Sequence, residues 1–476
     1  MNSNTFMPNK LTSIAGHRAL FLLPALLFLS VTPARATTLL NPVPENSTTL
    51  FGLSVTAVGD VNGDGVNDLA VGEPFADGTF DGAMGFGPPQ NVGRIFLISG
   101  ADFSVIRTLE DPDYQLATLD KFASQLGTSV AAAGDLNGDG VPDILAGLPH
   151  YTLKNLVTKI EFISTGKAYV FSGKDGTVLL TLKVPSDEEN ARAGYSVAGL
   201  GDINADGKPD FLVGSPGKNI GVGEGGKTDV GVAYFYSGAD GSIIRTVSDP
   251  DSTLDARFGF AVANAGDVDG DGVSDAIIGA PGKAQAFVFS GKTGSLLFTI
   301  ASPVREKTNS FGTAVAGGKD FDGDGKPDFV VGAPLFKNSQ GGAFIFRGSD
   351  KKLLRRLSLN SPQNFARFGA SVAAVGDMTG DGIPDVMAGV PDQDVSGAIN
   401  AGQAVIFNGS TGAIFKTLSS ETIQATAGFG SAVGAVDFTG NGTFTPIIGV
   451  PYQTATLVAP DGDLDTHLQI GQIEIR

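Results

Sequence analysis

An acidic nine-residue segment recurs along this 476-residue chain and carries most of its potential chemistry. The copies are DVNGDGVND from Asp60, DLNGDGVPD from Asp135, DINADGKPD from Asp202, DVDGDGVSD from Asp267, DFDGDGKPD from Asp320 and DMTGDGIPD from Asp377. Side-chain oxygens stand at positions 1, 3, 5 and 9, and the glycine at position 6 permits a sharp turn. Hard oxygen ligands in this number suit Ca²⁺, and they suit Mg²⁺ less well because Mg²⁺ requires a stricter octahedron.

Each segment offers five candidate ligands, namely the four side chains and the backbone carbonyl of position 7. The predicted metal ligands are Asp60, Asn62, Asp64, Val66, Asp68, Asp135, Asn137, Asp139, Val141, Asp143, Asp202, Asn204, Asp206, Lys208, Asp210, Asp267, Asp269, Asp271, Val273, Asp275, Asp320, Asp322, Asp324, Lys326, Asp328, Asp377, Thr379, Asp381, Ile383 and Asp385. A seventh copy, DFTGNGTFT from Asp437, has Asn441 and Thr445 at positions 5 and 9, so we expect it to stay empty. The sequence therefore predicts up to six calcium sites.

Two other interpretations of these segments compete with calcium loops. An EF-hand needs flanking helices and an acid at position 12, where the first segment has Val71 inside a predicted strand. A solvated Asp-Gly turn without metal is common for one segment, but six copies in register make that explanation poor. The six segments hold twenty carboxylates at ligand positions. Clustered carboxylates repel, so the metal-free protein is expected to be destabilised.

A constant frame surrounds each acidic segment. Upstream lies Phe-Gly or an equivalent, at Phe51-Gly52, Leu126-Gly127, Phe258-Gly259, Phe311-Gly312, Phe368-Gly369 and Phe429-Gly430, whereas the third repeat departs with Gly194-Tyr195. Downstream comes a short apolar run that ends in Gly-x-Pro, from Gly72 in the first repeat to Gly449 in the last. An alternating strand such as AYVFSG (168–173), a turn and a last strand such as SIIRTV (242–247) follow. This pattern predicts four strands per repeat.

Seven four-stranded repeats predict an all-β, seven-bladed propeller, because radial closure leaves few open edges. No segment after the N-terminal region shows a helical period. After Pro451 the last repeat offers one clear strand, GQIEIR at 471–476. Residues near Thr38 to Asn41 align with the fourth strand of other repeats. We therefore expect them to supply the outer strand of the last blade and to close the ring.

The Phe-Gly, acidic-loop and Gly-x-Pro frame resembles the FG-GAP repeats of the N-terminal β-propeller of integrin α-subunits. The resemblance covers residues 37–476, with repeats beginning near 51, 126, 194, 258, 311, 368 and 429. It implies that the calcium loops are structural and that the propeller is a module for protein binding or cell adhesion. It also implies that an extracellular protein ligand engages the face opposite the loops.

Residues 1–36 are predicted to be a secretory signal peptide. Lys10 and Arg18 precede an apolar run from Ala19 to Val31, and Ala34-Arg35-Ala36 gives a cleavage signal. An uncleaved membrane anchor is the alternative, although the run is short and contains Pro24. The expected location is secreted, or periplasmic if the source is a Gram-negative bacterium.

Composition narrows the function further. The net charge of −18 argues against nucleic acid or an anionic membrane as partner, and the absence of cysteine excludes thiol chemistry. His150 and His467 are isolated and no nucleophile motif is present, so the chain is predicted not to be an enzyme. Alternatives are a glycan-binding, lectin-like propeller and a non-catalytic part of an extracellular hydrolase system. Stacking platforms are few, since the chain has no Trp and only seven Tyr.

Three connections between second and third strands are predicted to be long, at Phe75 to Val92, His150 to Thr165 and Gly217 to Val230. They would form a raised patch over blades one to three, on the face opposite the acidic loops. The corresponding connection of blade four, Gly282 to Ala284, is short. Either the long connections bind a partner or they are tolerated insertions.

Overall fold

A computed structural model describes residues 37–42, 49–77, 91–113, 124–154, 161–162, 164–185, 189–220, 228–304, 309–458, 464–469 and 471–476. The described residues all belong to one compact unit of the chain. Within these described ranges, no helix has both the length and the apolar character needed to cross a membrane.

Twenty-eight short strands form seven four-stranded antiparallel sheets, the blades of a seven-bladed propeller. In chain order the first strands are β1 (Thr37–Leu40), β2 (Ser54–Gly59), β3 (Asp68–Glu73), β4 (Arg94–Ile98), β5 (Val105–Glu110), β6 (Ser129–Gly134), β7 (Asp143–Leu148), β8 (Leu153–Lys154), β9 (Glu161–Phe162), β10 (Lys167–Phe171) and β11 (Val178–Lys183). Blades three and four comprise β12 (Ser196–Gly201), β13 (Asp210–Ser215), β14 (Val232–Tyr236), β15 (Ile243–Ser248), β16 (Ala261–Gly266), β17 (Asp275–Ala280), β18 (Gln285–Phe289) and β19 (Leu296–Ala301). The remaining strands are β20 (Ala314–Lys319), β21 (Asp328–Gly332), β22 (Ala343–Phe346), β23 (Leu353–Leu357), β24 (Val372–Val375), β25 (Asp385–Val390), β26 (Gln403–Phe407), β27 (Ile414–Leu418), β28 (Ala432–Val436), β29 (Thr445–Val450), β30 (Thr454–Val458), β31 (Leu464–Gln469) and β32 (Gln472–Ile475).

The second and third strands of each blade lie in the core, which explains their continuous apolar sequences. Every residue of β3 and β4 is buried, whereas the outer strand β5 is mostly half-buried or exposed. Hydrophobic clusters form between blades, and one of them packs Phe51 of blade one with Ile473 of blade seven. Residues buried on both faces need no polar alternation, unlike those of a sheet with one face in water.

The N-terminal strand closes the ring, as the sequence predicts. β1 pairs antiparallel with β32, in a register that sets Thr37 opposite Ile475 and Leu40 opposite Gln472. Blade seven therefore has the order β1-β32-β29-β28. Leu39 packs against the cluster shared by blades one and seven, whereas Leu40 is 54% exposed.

A pair of glycines sets the contact between neighbouring blades. The Gly of each Gly-x-Pro segment lies against the carbonyl oxygen of the Phe-Gly glycine in the next blade, and a Cβ placed there would sit only 1.9–2.1 Å from that oxygen. This contact occurs seven times, from Gly72 against Gly127 to Gly449 against Gly52. No Cβ tolerates such a distance, so the repeated glycines are a steric requirement of blade packing.

In the third repeat, the pair that takes the Phe-Gly place is Ala193-Gly194, one residue earlier than the Gly194-Tyr195 expected from the sequence. Ala193 forms the parallel bridge with Gly166 that Leu126 forms with Gly93 in the preceding repeat. Ala193 is buried in the cluster that holds Tyr234 and Tyr236. The other repeats have Phe or Leu before this glycine, so the small side chain of Ala193 does not match their sequence pattern.

Among the described residues, two short hairpins and one short helix lie outside the predicted four-strand pattern. β8 pairs with β9 in the connection of blade two, and β30 pairs with β31 in the connection of blade seven. The expectation of one strand after Pro451 was therefore wrong, since β30 and β31 precede β32. A four-residue helix, α1 (Phe336–Ser339), lies in the connection of blade five, and Lys337 and Asn338 within it have positive φ.

Candidate metal centres

All six acidic loops join the first strand of a blade to its second strand. The first loop runs from Asp60, directly after β2, to Asp68, the first residue of β3. The other five loops occupy the same place in blades two to six, and each also ends on the first residue of a second strand. Since the connection is the same in each blade, the loops lie at the same end of the ring. The structure thus places the predicted ligands in six equivalent positions.

The aspartate at position 1 organises each loop from within. Its Oδ2 accepts the backbone N–H of the position-6 glycine at 2.7–2.9 Å in all six loops. The N–H of position 7 donates to Oδ1 of the position-5 aspartate at 2.8–3.0 Å. In loop one, Asp60 also accepts the N–H groups of Gly63 and Asp64. These bonds fold the backbone around the carboxylates, so the turn is shaped by the acids themselves.

The position-9 aspartates connect each loop to the far side of its blade. Their side chains are fully buried; they are Asp68, Asp143, Asp210, Asp275, Asp328 and Asp385. Oδ2 accepts the N–H of position 2 at 2.7–2.9 Å. Oδ1 accepts the N–H of the glycine that follows the third strand, at 2.9–3.1 Å. A single carboxylate therefore joins the acidic loop to the turn after strand three.

The glycine after the third strand is fixed by close packing. In blade one, a Cβ on Gly100 would lie 2.0 Å from the carbonyl oxygen of Asn67, the residue at position 8. The same contact recurs in blades two to six at 1.8–2.0 Å. Only glycine lets its N–H reach the buried carboxylate at this distance. The Ser-Gly, Arg-Gly and Asn-Gly pairs after the third strands thus contact the acidic loops, a link that the sequence analysis did not make.

Burial raises the pKa of every position-9 aspartate above the ordinary value of 3.8. The pKa reaches about 6 for Asp275 and for Asp328. The nearby carboxylates of Asp269, Asp320 and Asp322 add to the rise. The two backbone N–H donors act in the opposite direction but do not overcome burial. A buried carboxylate in this position gains from a nearby cation, because a cation favours the charged form.

Acidic oxygens converge most closely in three loops. Carboxylate oxygens lie within 4.8 Å of one another in Asp267, Asp269 and Asp271, in Asp320, Asp322 and Asp328, and in Asp377, Asp381 and Asp385. In loop six the Thr379 hydroxyl lies 3.4 Å from Asp377 Oδ1 and 3.3 Å from Asp385 Oδ1, so it joins the cluster as a neutral oxygen. This oxygen-only donor set fits a hard divalent cation such as Ca²⁺.

Loops one to three have asparagine at position 3, and there an amide replaces one carboxylate. Asn62, Asn137 and Asn204 each donate an amide hydrogen to Oδ2 of the position-5 aspartate, at 2.8–3.0 Å. The amide oxygen of each accepts the N–H of the same aspartate at 2.9 Å. These loops hold three carboxylates, and the fourth and fifth loops hold four.

Lysines at position 7 bind the neighbouring loop with their side chains. Lys208 Nζ donates to the carbonyl of Leu136 at 2.6 Å, and Lys326 Nζ donates to the carbonyl of Val268 at 3.1 Å. Each acceptor is position 2 of the loop in the preceding blade. The side chains therefore stabilise contacts between blades, and only the backbone carbonyls of Lys208 and Lys326 belong to the predicted ligand set.

The seventh loop keeps the turn but lacks the acids at positions 5 and 9. Asp437 accepts the N–H groups of Asn441 and Gly442 at 3.2 and 2.6 Å, as position 1 does elsewhere. Position 9 is Thr445, so the buried carboxylate is replaced. Asn67 of loop one donates to the carbonyls of Asp437 and Phe438. The seventh loop thus contributes to packing between blades one and seven, and its vacancy for metal stays a prediction.

The opposite end of the ring carries the connections between second and third strands. Large parts of the three long connections lie outside the described residues, so the predicted raised patch stays a prediction. His150 is half-buried, its ring lies 3.3 Å from the Ser164 hydroxyl, and burial lowers its pKa. Lys167 is buried, donates to Asp113 at 2.7 Å and lies 3.4 Å from the centre of the Tyr151 ring. Such a satisfied network rigidifies this part of blade two.

The fold and the loops together define a seven-bladed propeller with repeated acidic loops. The model of the FG-GAP repeat family matches residues 51–97, 126–171, 193–236 and 311–346. Integrin alpha-5 of Xenopus laevis is 32% identical over 227 residues, which are 44% of this chain and 20% of that protein. Integrin alpha pat-2 of Caenorhabditis elegans is 30% identical over 278 residues, 51% of this chain and 21% of that protein. Integrin alpha-V of Gallus gallus is 30% identical over 237 residues, with shares of 46% and 22%.

The chain is an integrin-alpha-like FG-GAP β-propeller. The matches span about a fifth of the length of these curated relatives. The likeness therefore concerns the propeller.

Proposed function

We propose that this chain is an exported, calcium-stabilised propeller that binds an extracellular protein in cell adhesion or a related process. The single observation that carries the calcium proposal is the set of six fully buried position-9 carboxylates, each in a loop that holds two or three further acids. Buried carboxylates without a counter-charge are costly, and a cation in the loop removes that cost. In this proposal, the role of the calcium loops is to stabilise the fold.

Calcium is preferred to other metals on the chemistry of the ligands. The predicted side-chain donors are carboxylate, amide and hydroxyl oxygens, with neither His nor Cys among them. Such donors suit hard cations, and the short loops with glycine at position 6 favour the larger and more flexible coordination shell of Ca²⁺ over Mg²⁺. Six Ca²⁺ ions would offset twelve of the twenty negative charges at ligand positions.

Calorimetric titration tests this proposal directly. Protein stripped on a chelating resin should bind several equivalents of Ca²⁺ and bind Mg²⁺ more weakly. Asp139→Asn, which removes an exposed carboxylate at position 5 of loop two, should weaken one site. Asp175→Asn, an exposed aspartate in the turn after the third strand of the same blade, is the matched control and should leave all sites unchanged. If stripped protein binds no Ca²⁺ and its melting temperature is the same with and without Ca²⁺, the calcium proposal is wrong.

Export is the second part of the proposal, and it rests on the signal-like sequence of residues 1–36. Expression of the whole sequence in a secreting host should release a product that begins at Thr37. N-terminal sequencing of the product checks this. Retention of an unprocessed chain in the membrane fraction would favour the anchor.

Protein binding is proposed for the end of the ring opposite the loops. It is supported by the likeness to integrin alpha propellers and by the clustering of long connections in blades one to three. No nucleophile or acid–base pair in the sequence calls for catalysis, so we propose a binding module that is not an enzyme and that neither binds nucleic acid nor inserts in a membrane. The acidic loops are proposed to bind metal.

A chimera within the chain tests this face. Replacement of the blade-three connection 217–230 by the short blade-four connection 282–284 should abolish or weaken binding to purified extracellular matrix proteins, while the Ca²⁺ titration stays unchanged. The same protein is screened on a glycan array. Binding to glycans alone would favour the lectin alternative, and full protein binding by the chimera would show that this connection is a tolerated insertion.

A further inference from the structure

The residue before the glycine that follows each third strand contacts the acidic loop of its own blade in blades one, three, five and six. It is Ser99, Ser172, Ser237, Ser290, Arg347 and Asn408 in blades one to six. The Ser237 hydroxyl donates to Oδ2 of Asp206 at 3.1 Å, and the Asn408 amide donates to Oδ2 of Asp381 at 2.6 Å. Both acceptors are position-5 aspartates. A neutral group therefore lies beside the position-5 carboxylate in blades one, three and six, whereas blade five has a charged residue at this place in the sequence.

Arg347 forms ion pairs with the predicted ligands of loop five. Its Nε donates to Asp322 Oδ2, at position 3, at 2.5 Å. The same nitrogen lies 4.0 Å from Asp324 Oδ2, at position 5, and Nη1 lies 3.6 Å from Asp350. The Asp322 side chain is only 11% exposed, so this pair is shielded from water more than an ordinary surface pair. The guanidinium thus neutralises part of the cluster that would receive the metal.

Loop four is the natural comparison, because it also has four carboxylates. Asp267, Asp269, Asp271 and Asp275 match loop five position by position, but the neighbouring residue is Ser290. Two lysines lie near loop four: Lys292 Nζ is 3.9 Å from Asp271 with its side chain 53% exposed, and Lys326 Nζ donates to the Val268 carbonyl. The two loops thus have the same acids, but the position-3 aspartate pairs with an arginine in loop five.

We propose that Arg347 is a built-in counter-cation of loop five, and that this loop binds calcium more weakly than loop four despite having the same four acids. This inference rests on the proposed calcium binding. A Ca²⁺ ion in loop five must displace or share Asp322 with the guanidinium, and the two cations repel at short range. The Ca²⁺ dissociation constant of loop five is expected to be about tenfold or more higher than that of loop four. A tenfold difference in dissociation constant corresponds to the free energy of one modest charge interaction.

The same contact gives loop five a second property. Without metal, the carboxylates of loop five are partly compensated by the ion pair of Arg347 with Asp322, whereas in loop four Lys292 lies 3.9 Å from Asp271 and Lys326 contacts only a backbone carbonyl. Blade five should therefore stay folded at calcium concentrations that leave the other loops unfilled. The ring keeps one loop whose structure depends little on the metal.

Calorimetric Ca²⁺ titration of four proteins tests the inference. The wild-type chain should show one site at least about tenfold weaker than the strongest sites. Arg347→Gln, which keeps side-chain length and removes the charge, should convert that site to a strong one, while Arg347→Lys should leave it weak. Ser290→Arg should add a second weak site. An identical titration for wild type and Arg347→Gln would overturn the proposal.

A second measurement does not depend on the folding of Ser290→Arg, whose wild-type side chain is buried. Arg347→Gln should melt at a lower temperature than wild type when stripped of metal, and at an equal or higher temperature in saturating Ca²⁺. A lower melting temperature under both conditions would mean that Arg347 is merely structural, and the inference would fail. If the wild-type chain binds no Ca²⁺ at all, the proposed function itself fails, and the two failures are therefore distinguishable.

Discussion

Acidification should stabilise the metal-free propeller, in contrast to most folded proteins. The relevant groups are the position-9 aspartates, whose pKa is raised in the fold above the ordinary 3.8 and reaches about 6 for Asp275 and Asp328. Between pH 6 and 4 the folded state binds more protons than the unfolded state, so the free energy of unfolding falls as pH rises. The stabilisation is fully present below the unfolded pKa and is lost as pH rises through about 6.

The magnitude follows from the two largest shifts. A rise from 3.8 to about 6 corresponds to about 3 kcal/mol per group at full ionisation. Within the window, each group contributes up to ~1.4 kcal/mol per pH unit. Asp275 and Asp328 together should thus change the free energy of unfolding by a few kcal/mol between pH 7 and pH 5. The other four position-9 aspartates act in the same direction, because burial also raises their pKa.

Urea unfolding of resin-stripped protein from pH 4.5 to 7.5 measures this effect, with circular dichroism as the signal. A resin is preferable to EGTA because EGTA loses calcium affinity in acid. In saturating Ca²⁺ the dependence should reverse, since protons then compete with the metal for the same carboxylates. Asp275→Asn should reduce the slope of the stripped protein, and the exposed Asp175→Asn should not. Stability of the stripped protein that is constant or decreases from pH 7 to 5 would refute the reasoning.

Three further predictions concern the scaffold. Gly147→Ala should lower the free energy of unfolding by about 3 kcal/mol or more, because its Cβ would lie 1.9 Å from the Gly194 carbonyl oxygen. Gly434→Ala is the control, because a Cβ at Gly434 meets open space. Equal urea midpoints for the two variants would contradict the steric argument. Leu39→Ser should lower the free energy of unfolding by about 1–2 kcal/mol more than Leu40→Ser, because Leu39 packs against the core and Leu40 is exposed. Equal losses of stability in urea unfolding would count against a packed N-terminal strand. Removal of Ca²⁺ from the wild-type chain at pH 7.5 should lower the melting temperature by about 10 °C or more, measured by scanning calorimetry. An unchanged melting temperature would show that bound metal does not stabilise the fold.

The repeated frame made the fold predictable, because each of its residues meets a steric or electrostatic requirement that recurs in every blade. The Gly-x-Pro and Phe-Gly glycines make the blade contact, and the position-9 aspartate starts the second strand. The third repeat was misaligned by one residue, because Ala193 keeps the backbone bridge without the bulky side chain. Backbone geometry, which sequence letters record poorly, decides that position.

The loops themselves were predicted as ligand sets, but their surroundings were not. The carboxylate of Asp68 accepts the N–H of Gly100, and the equivalent contacts join parts of each blade that are 16 to 32 residues apart. Arg347 has the same place in the strand as four serines, yet nothing in its local sequence indicates that it pairs with Asp322. The β30–β31 hairpin was not predicted either, since GQIEIR at 471–476 was the one strand predicted after Pro451.

The pairing of β1 with β32 gives this ring an unusual order of assembly. Each of the first six blades comes from one contiguous stretch of the chain, whereas blade seven joins segments from opposite ends of almost the entire described chain. Closing so long a loop is entropically expensive and slow, so blades one to six can form before this last pairing. The contact of Gly449 with Gly52 can be made only when the two ends meet. Docking of the strand of residues 37–40 thus closes the ring and joins the blades into one cooperative unit.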